Sequence, residues 1–562
     1  MAEKKRRKQS FEYGAVILLC STMLVKLIGA VFKIPLSDLI GDLGFGYFSS
    51  AYDLFTPIYT IAMAGLPIAV SRVVAEHAVE GRYKDVRQSL TITRRLFWIT
   101  GIAGFLLMLA LIYPFVKLTD KTSDTIYSLF AISPSLLFCC VMSTYRGYYE
   151  GLRNMYPTAV SDITEALGKL ILGYGFAYIV MKVSGNVAFA AAAAILGITV
   201  GAAIAALYLW LRYRISGDGI TEEELAASPE KMNTRAATRA LIAIAIPVVM
   251  ASLANSVASL VDVVMVKWQL SHLMGSHADS ILKMYAASIA DYNTLHSDPL
   301  VIDAIPTFLY GVRSKAFTIY NLVPAITSVL GVSALPVLAS SWVKHAKPAV
   351  KQNIESMIKV SALIACPAGL GFLFMGSGIM TLMYNTVASV EIGGVMMSIY
   401  GAAALFAGIS IPMTSMLQAI GKQVISLRNV AVGAVLKVVV NFACVSIPTL
   451  NVKGAAIGTF VCYAFIFFAN FISLIHYSGV RPDIFKILGK PFLSALGCGI
   501  TAFVMYRILG NGKITAVLSI GSAAVVYLIL LVVFNTFEEN DVISLPKGDK
   551  ILRVFKKLRI IR

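Results

Sequence analysis

Residues 14–37 read GAVILLCSTMLVKLIGAVFKIPLS. A helix needs about 20 apolar residues to cross a bilayer, and this run is long enough. It also holds two lysines, Lys26 and Lys33. A lysine near the middle of a span costs about 2.5–3.5 kcal/mol on insertion scales, so both need an explanation. They are two helical turns apart and share one helix face, with Gly29 between them. Two readings stand. In one, the ammonium groups snorkel and make an internal ion pair. In the other, they form a cationic stripe facing a water-filled cavity that receives an anion.

The rest of the chain sets the class. Of 562 residues, 58% are hydrophobic and only 14% charged. That excludes a soluble globular protein. The apolar runs are long and continuous, which also excludes a transmembrane barrel with its short alternating strands. The expected fold is an all-α polytopic membrane protein. The net charge of +18 would suit nucleic acid. Loops rich in Lys and Arg on one membrane side explain it better, so no nucleic-acid partner is expected. The seven cysteines fall in apolar runs without ligand spacing and read as small buried apolar residues. The basic start MAEKKRRKQ resembles a signal peptide, but the run after it is long and lacks a clear cleavage site, so a retained first span is expected.

Fourteen spans are expected, near 14–34, 50–71, 96–115, 125–145, 158–181, 187–211, 240–267, 308–338, 358–383, 393–417, 427–449, 454–477, 490–509 and 514–535. Lys and Arg crowd the N-terminus, every even-numbered loop and the tail. The odd-numbered loops are poorer in them. This alternation predicts a multi-pass protein with both termini in the cytoplasm. The outer loop 268–307 contains His272, His277 and His296 with four aspartates. No tight ligand spacing links them, so a solvated loop with a short amphipathic helix is expected. Residues 216–239 read as a cytoplasmic linker. The tail at 541–562 is basic and amphipathic, and reads equally as a surface helix or an ordinary cytoplasmic terminus.

A repeat divides the spans. Ala64–Arg72 reads AGLPIAVSR, and Ser333–Ser341 reads SALPVLASS. Both segments end a span, and each span has an earlier proline, Pro57 or Pro324. Arg153 and Lys169 in the first half echo Lys422 and Lys437 in the second. Two six-span lobes in pseudo-twofold repeat follow, an arrangement suited to alternating access. The expected organisation is an N-terminal lobe at 1–215, the linker at 216–239, a C-terminal lobe at 240–480, two further spans at 481–540 and the tail at 541–562.

Several charges fall in or beside spans. Arg72 ends the second span, and Asp53 begins it, within possible reach of Lys33. Arg313 and Lys315 stand in the eighth, Lys437 in the eleventh. Glu165 and Lys169 are spaced for an intrahelical ion pair. Cations outnumber carboxylates, and a phosphate-bearing substrate would supply the missing negative charge. Asp262 lies deep in the seventh span, with Asn255 two turns earlier on the same face. A buried carboxylate beside an amide suits a sodium ion or a proton, or a neighbouring buried lysine. No other metal is expected.

The basic first span with Gly29, GLPIAVSRVVAE at 65–76 and the ALPVLASS segment resemble the polysaccharide-exporter branch of the multidrug/oligosaccharidyl-lipid/polysaccharide (MOP) superfamily. Within it the likeness is to stage V sporulation protein B-like and lipid II flippase-like members. The resemblance implies two six-helix lobes around a cavity, two extra helices forming a lipid-lined groove, and no enzymatic activity. It implies a bacterial cytoplasmic membrane protein, expected as a monomer, that exports an undecaprenyl-diphosphate-linked saccharide. Lipid II is the foremost candidate. Lys26, Lys33, Arg72, Arg313 and Lys315 then become substrate-binding residues. Asp262, Asn255, Asn441 and Thr459 become an ion-coupling set for sodium or a proton, with Val445 where the family has a second carboxylate. The alternatives are export of another lipid-linked repeat unit, a cation-coupled drug antiporter of the same fold, and a membrane glycosyltransferase using the same carrier. No Walker motif is present, so ATP is not expected to drive transport.

Overall fold

A computed structural model describes residues 11–63, 65–296 and 298–536. The N-terminal basic cluster and the 541–562 tail lie outside the described residues, as does the Asn255 side chain. The described chain is helical almost throughout. Long apolar sequences in lipid must satisfy every backbone polar group within the segment, and helices do this.

The helices in order are α1 (Phe11–Met63), α2 (Leu66–Val79), α3 (Tyr83–Thr119), α4 (Thr125–Ile132), α5 (Ser135–Gly151), α6 (Tyr156–Gly168), α7 (Tyr174–Ser184), α8 (Val187–Ser216) and α9 (Glu222–Ala226). They continue with α10 (Thr234–Met284), α11 (Ala286–Leu295), α12 (Ile305–Tyr320), α13 (Leu322–Val343) and α14 (Lys347–Met383). The last are α15 (Val387–Ala419), α16 (Gln423–Val445), α17 (Gly454–Ser478), α18 (Lys490–Leu509) and α19 (Lys513–Val533). A π-helical turn, Lys169–Gly173, joins α6 to α7.

Among the described residues, twelve helical stretches are long and apolar enough to cross a membrane. The first, Cys20–Val79, covers two expected spans in one run. Its break is at Gly41, where φ is +68° and ψ −175°. Only glycine adopts that backbone cheaply. The helix α10, which holds the seventh expected span, is not among the twelve. The eighth expected span is split at Asn321 into α12 and α13, three residues before Pro324.

The chain divides into two compact units. One takes in residues up to Met274 together with His296–Gly311. The other takes Gly275–Leu295 and the described chain from Val312 onward. In the first unit, α2, α3, α5 and α8 share a core of Val70, Val74, Leu90, Phe97, Tyr145, Tyr148 and Leu209, closed by Leu241 and Ala245 of α10. In the second unit α15 is central, packed on α13, α14 and α17. Its Met396, Met397, Tyr400, Ala403, Ala404 and Met413 are wholly buried. The last two helices, α18 and α19, pack on each other and on α14.

The repeat is visible in the turns. Four of the left-handed residues of the first unit stand at Gly81, Arg153, Gly185 and Gly217. Four of the second unit stand at His345, Gly421, Asn451 and Gly479, in the same succession and at nearly constant separation along the chain. Each closes the same connection: after α2 and α13, α5 and α15, α7 and α16, and α8 and α17.

The expected solvated loop at 268–307 is mostly helix instead. It extends α10 to Met284 and then forms α11. The reason is tertiary. Tyr285 is buried and donates to Asn451 Oδ1 at 2.6 Å, and Asp291 Oδ2 accepts from the Val387 N–H at the start of α15.

Candidate anion-binding site

The kink at Gly41 divides α1 into a stretch carrying Lys33 and one carrying Ser50, Tyr52 and Asp53. Aromatic residues at helical spacing stiffen the second stretch. Phe45, Phe48, Tyr52, Phe55 and Tyr59 follow one another with ring centroids 5.6–6.1 Å apart. Phe32 of the first stretch meets Phe48 edge-on at 6.0 Å. Lys33 thereby stands over the Tyr52 ring, with Nζ 5.9 Å from its centroid.

Three other elements of the same unit converge here. Lys169, the first residue of the π-turn, donates from Nζ to Tyr52 Oη at 3.1 Å, with Nζ 4.5 Å from the ring centroid. Lys267 of α10 is wholly buried and donates to Ser50 Oγ at 2.8 Å. Its Nζ is also 5.5 Å from the Tyr310 ring. Tyr310 of α12 donates to Asp53 Oδ2 at 2.6 Å. Asp53 therefore lies within the electrostatic reach of both Lys33 and Lys267, and Asp120 also acts on Lys267. Asp120 is itself held by the Thr122 and Thr125 hydroxyls at 2.8 and 2.5 Å.

The expected Asp53–Lys33 contact is electrostatic only. Among the described residues, no carboxylate lies within ion-pair distance of Lys33 or Lys169. The expected Glu165–Lys169 pair is replaced as well. Arg146 of α5 reaches Asp162 and Glu165, each at 3.0 Å, and Ser161 Oγ at 2.8 Å. A planar guanidinium satisfies two carboxylates at once, so Glu165 is taken, and the π-turn directs Lys169 to α1.

The other sequence-predicted residues are placed as follows. Lys26 is exposed on α1, and a Cβ at Gly29 would meet no atom within 4 Å beyond the adjoining backbone of its own helix among the described residues. Arg72 is exposed and pairs with Glu76 one turn on, at 2.8 Å. Asp262 is buried in α10 of the first unit. In the second unit, Arg313 is buried with its guanidinium 5.3 Å from the Phe317 ring centroid. Lys315 is buried there too, donating to Ser389 Oγ at 3.3 Å with Nζ 5.0 Å from the Tyr384 ring. Asn441 is buried against Gly458, and the Thr459 hydroxyl donates to Ala455 O of its own helix at 3.0 Å.

Sequence reasoning missed Lys267 and the Arg146 cluster. The sequence reading ends the seventh span at Lys267 and gives it no role. The signal against that was present, since the apolar run VDVVMVKWQL continues beyond it. The arrangement around Tyr52 can neutralise and hold a group bearing more than one negative charge.

Known structures share this architecture. Lipid II flippase MurJ in an inward closed conformation superposes with a TM-score of 0.61 at 14% identity, over 92% of this chain and 98% of that one. An inward-facing multidrug resistance MATE family transporter of the MOP superfamily superposes with a TM-score of 0.59 at 15% identity, over 82% and 99%. The protein is thus a multi-pass membrane protein, helical almost throughout its described residues, that shares the fold of these two transporters. Residues 13–293 match the family described as polysaccharide biosynthesis protein, and the chain belongs to that family. Its sequence is 24% identical to stage V sporulation protein B of Bacillus subtilis (strain 168), over 96% of this chain and 98% of the relative. It is also 24% identical to lipid II flippase MurJ of the same organism, over 91% and 92%.

Proposed function

We propose that the chain is a flippase for a polyprenyl-diphosphate-linked saccharide in a bacterial cytoplasmic membrane, with lipid II as its substrate. The observation that carries this reading is Lys33. It is a half-buried cation in a membrane-spanning helix, with no ion-pair partner among the described residues, near the same tyrosine ring as a second lysine. Retaining such a charge in a span costs free energy that an anionic substrate offsets when it binds. A diphosphate brings that charge, the polyprenyl chain stays in lipid, and the saccharide crosses through the polar interior. Lys26 lies on the approach along the same helix. By the same reading Arg313 and Lys315 are substrate cations of the second unit, and Arg72 assists at the inner end of α2. Both termini face the cytoplasm, the protein works as a monomer, and access alternates between the two membrane faces.

Asp262 is proposed as the coupling residue for sodium or a proton, with Asn255 of the same helix as its associate. Moving one charge across the full membrane potential supplies about 2.3 kcal/mol per 100 mV, enough to bias such a cycle. A cation-coupled drug antiporter is the second reading, supported by the MATE neighbours of the fold. It asks for a cavity that attracts cations, and lysines around Tyr52 disfavour it.

The test is rescue of a bacterial strain depleted of its lipid II flippase, with accumulated precursor measured. The wild-type chain should restore growth and clear the precursor, whereas Lys33→Ala at equal membrane abundance should not. Drug resistance without precursor clearance would reverse the order of the two readings.

A further inference from the structure

Lys169 was expected to be neutralised by Glu165, and it is not. Arg146 holds Glu165, and no carboxylate lies within ion-pair distance of Lys169 among the described residues. Its Nζ instead sits 4.5 Å from the centroid of the ring that Lys33 faces at 5.9 Å. Two ammonium groups of like charge therefore lie near one side chain within a membrane-spanning unit. Asp53 offsets part of that repulsion, and in a low-dielectric setting the remaining positive charge favours entry of an anion.

The backbone points the same way. Lys169 opens a π-helical turn, Lys169–Gly173. Such turns cost helix regularity, and they recur where a side chain must be redirected for function. Here the redirected side chain leaves its own helix neighbour and crosses to α1, donating to Tyr52 Oη at 3.1 Å. That hydroxyl keeps its own proton to donate.

Building on the flippase reading, we propose that Lys169 and Lys33 form a two-lysine clamp for a diphosphate group, with the Tyr52 hydroxyl as a third donor between them. One phosphoryl group goes to each ammonium. The clamp thus selects a lipid diphosphate over the corresponding monophosphate, which can satisfy only one of the two. Asp53 takes no part in holding the ligand. Tyr310 fixes it at 2.6 Å, and it acts as the resident negative charge when the site is empty of substrate.

The experiment uses the full-length protein in detergent micelles, with farnesyl diphosphate and farnesyl monophosphate as probes and native mass spectrometry as the readout. Lys169→Gln should weaken farnesyl diphosphate at least about tenfold, the loss expected of one hydrogen bond to a charged group. It should change farnesyl monophosphate by no more than about threefold, since Lys33 remains to hold a single phosphoryl group. Lys169→Arg should recover most of the diphosphate affinity. Unchanged diphosphate affinity in Lys169→Gln, with affinity lost in Lys33→Gln, would overturn the clamp and leave the flippase reading standing. No binding of farnesyl diphosphate by the wild type would overturn both. A second measurement needs no variant. Inorganic pyrophosphate should displace farnesyl diphosphate from the wild-type protein at concentrations where inorganic phosphate does not, and equal displacement by the two would also overturn the clamp.

Discussion

Lys267 donates a 2.8 Å hydrogen bond to Ser50, 217 positions earlier in the chain. Ser50 in turn donates to the Gly46 carbonyl at 2.7 Å, so a buried ammonium on α10 is anchored to a buried hydroxyl on α1. A hydrogen bond to a charged group contributes about 1.5–3 kcal/mol, and its loss costs most where the charge stays buried. Ser50→Ala strands the buried ammonium and should therefore lower the melting temperature of the detergent-solubilised protein markedly. Lys267→Met removes the charge and leaves Ser50 bonded to Gly46, so it should cost less than Ser50→Ala, and Ser50→Ala should cost little more once Lys267 is already Met. A double-mutant cycle on thermal unfolding checks both values, and strict additivity would mean the bond contributes nothing.

The Arg146 cluster makes a sharper case. Its guanidinium bridges Asp162 and Glu165, with Arg146 only 16% exposed. Arg146→Ala leaves two carboxylates facing each other and should destabilise by about 3–5 kcal/mol. Arg146→Lys should recover only part of this, since an ammonium cannot present the same fork. Unfolding followed by fluorescence-detected size exclusion would rank the three proteins.

Close approach of two backbones sets another limit. A Cβ on Gly46 would strike the Thr307 carbonyl oxygen, and one on Gly311 would strike the Asp42 carbonyl oxygen. Both contacts involve main chain, which cannot rotate away. Gly46→Ala and Gly311→Ala should each cost about 1–3 kcal/mol or more through overpacking. Substitution at Gly29, where a Cβ would meet nothing beyond the adjoining backbone of its own helix among the described residues, serves as the control and should leave stability within about 0.5 kcal/mol.

Much of this was legible beforehand because it rests on periodicity and composition. The helical class, the positions of most spans and the two-fold repeat follow from long apolar runs and recurring Leu-Pro steps. The side-chain partners were not legible. Lys169 and Glu165 have the spacing of an intrahelical pair, but Arg146 from another helix competes for the same carboxylate, and no local rule contains that competitor. Lys267 reads from sequence as a span boundary because the charge ends the apparent apolar run. Ser50, Tyr310, Asp120 and Asp53, all far away in sequence, surround its charge. The loop at 268–307 was misjudged for the same reason: its polar residues cap and bond elements distant in the chain, as Asp291 does for Val387.

The segment after α8 is fastened rather than loose. Asp218 accepts from Arg87 Nε at 3.0 Å and from Tyr148 Oη at 2.9 Å, and Lys84 Nζ donates to Ser228 O at 2.8 Å. Gln88 donates to Met232 O at 3.0 Å, and Asp85 accepts from the Met232 N–H at 2.8 Å. Asp218→Ala removes the contact shared by Arg87 and Tyr148. Cleavage of the full-length protein at Lys231 by trypsin should then accelerate by about tenfold or more, as a local opening energy of one to two charged hydrogen bonds is lost. An unchanged cleavage rate would show that the remaining bonds hold the segment without Asp218.

The last prediction concerns Lys33 itself and separates stability from function. A lysine that folds into a membrane span without an ion-pair partner is a cost to the folded protein, and methionine keeps nearly the same length without the charge. Lys33→Met should therefore raise stability by about 1–3 kcal/mol, visible as a higher melting temperature in detergent. The same substitution should abolish rescue of a flippase-depleted strain, because the group that receives the substrate's negative charge is gone. A purely structural lysine would behave in the opposite way: its loss would lower the melting temperature and leave residual rescue in proportion to the protein that survives. Sites that trade stability for function show increased stability on losing the functional charge. Measuring both quantities on one variant decides which kind of residue Lys33 is.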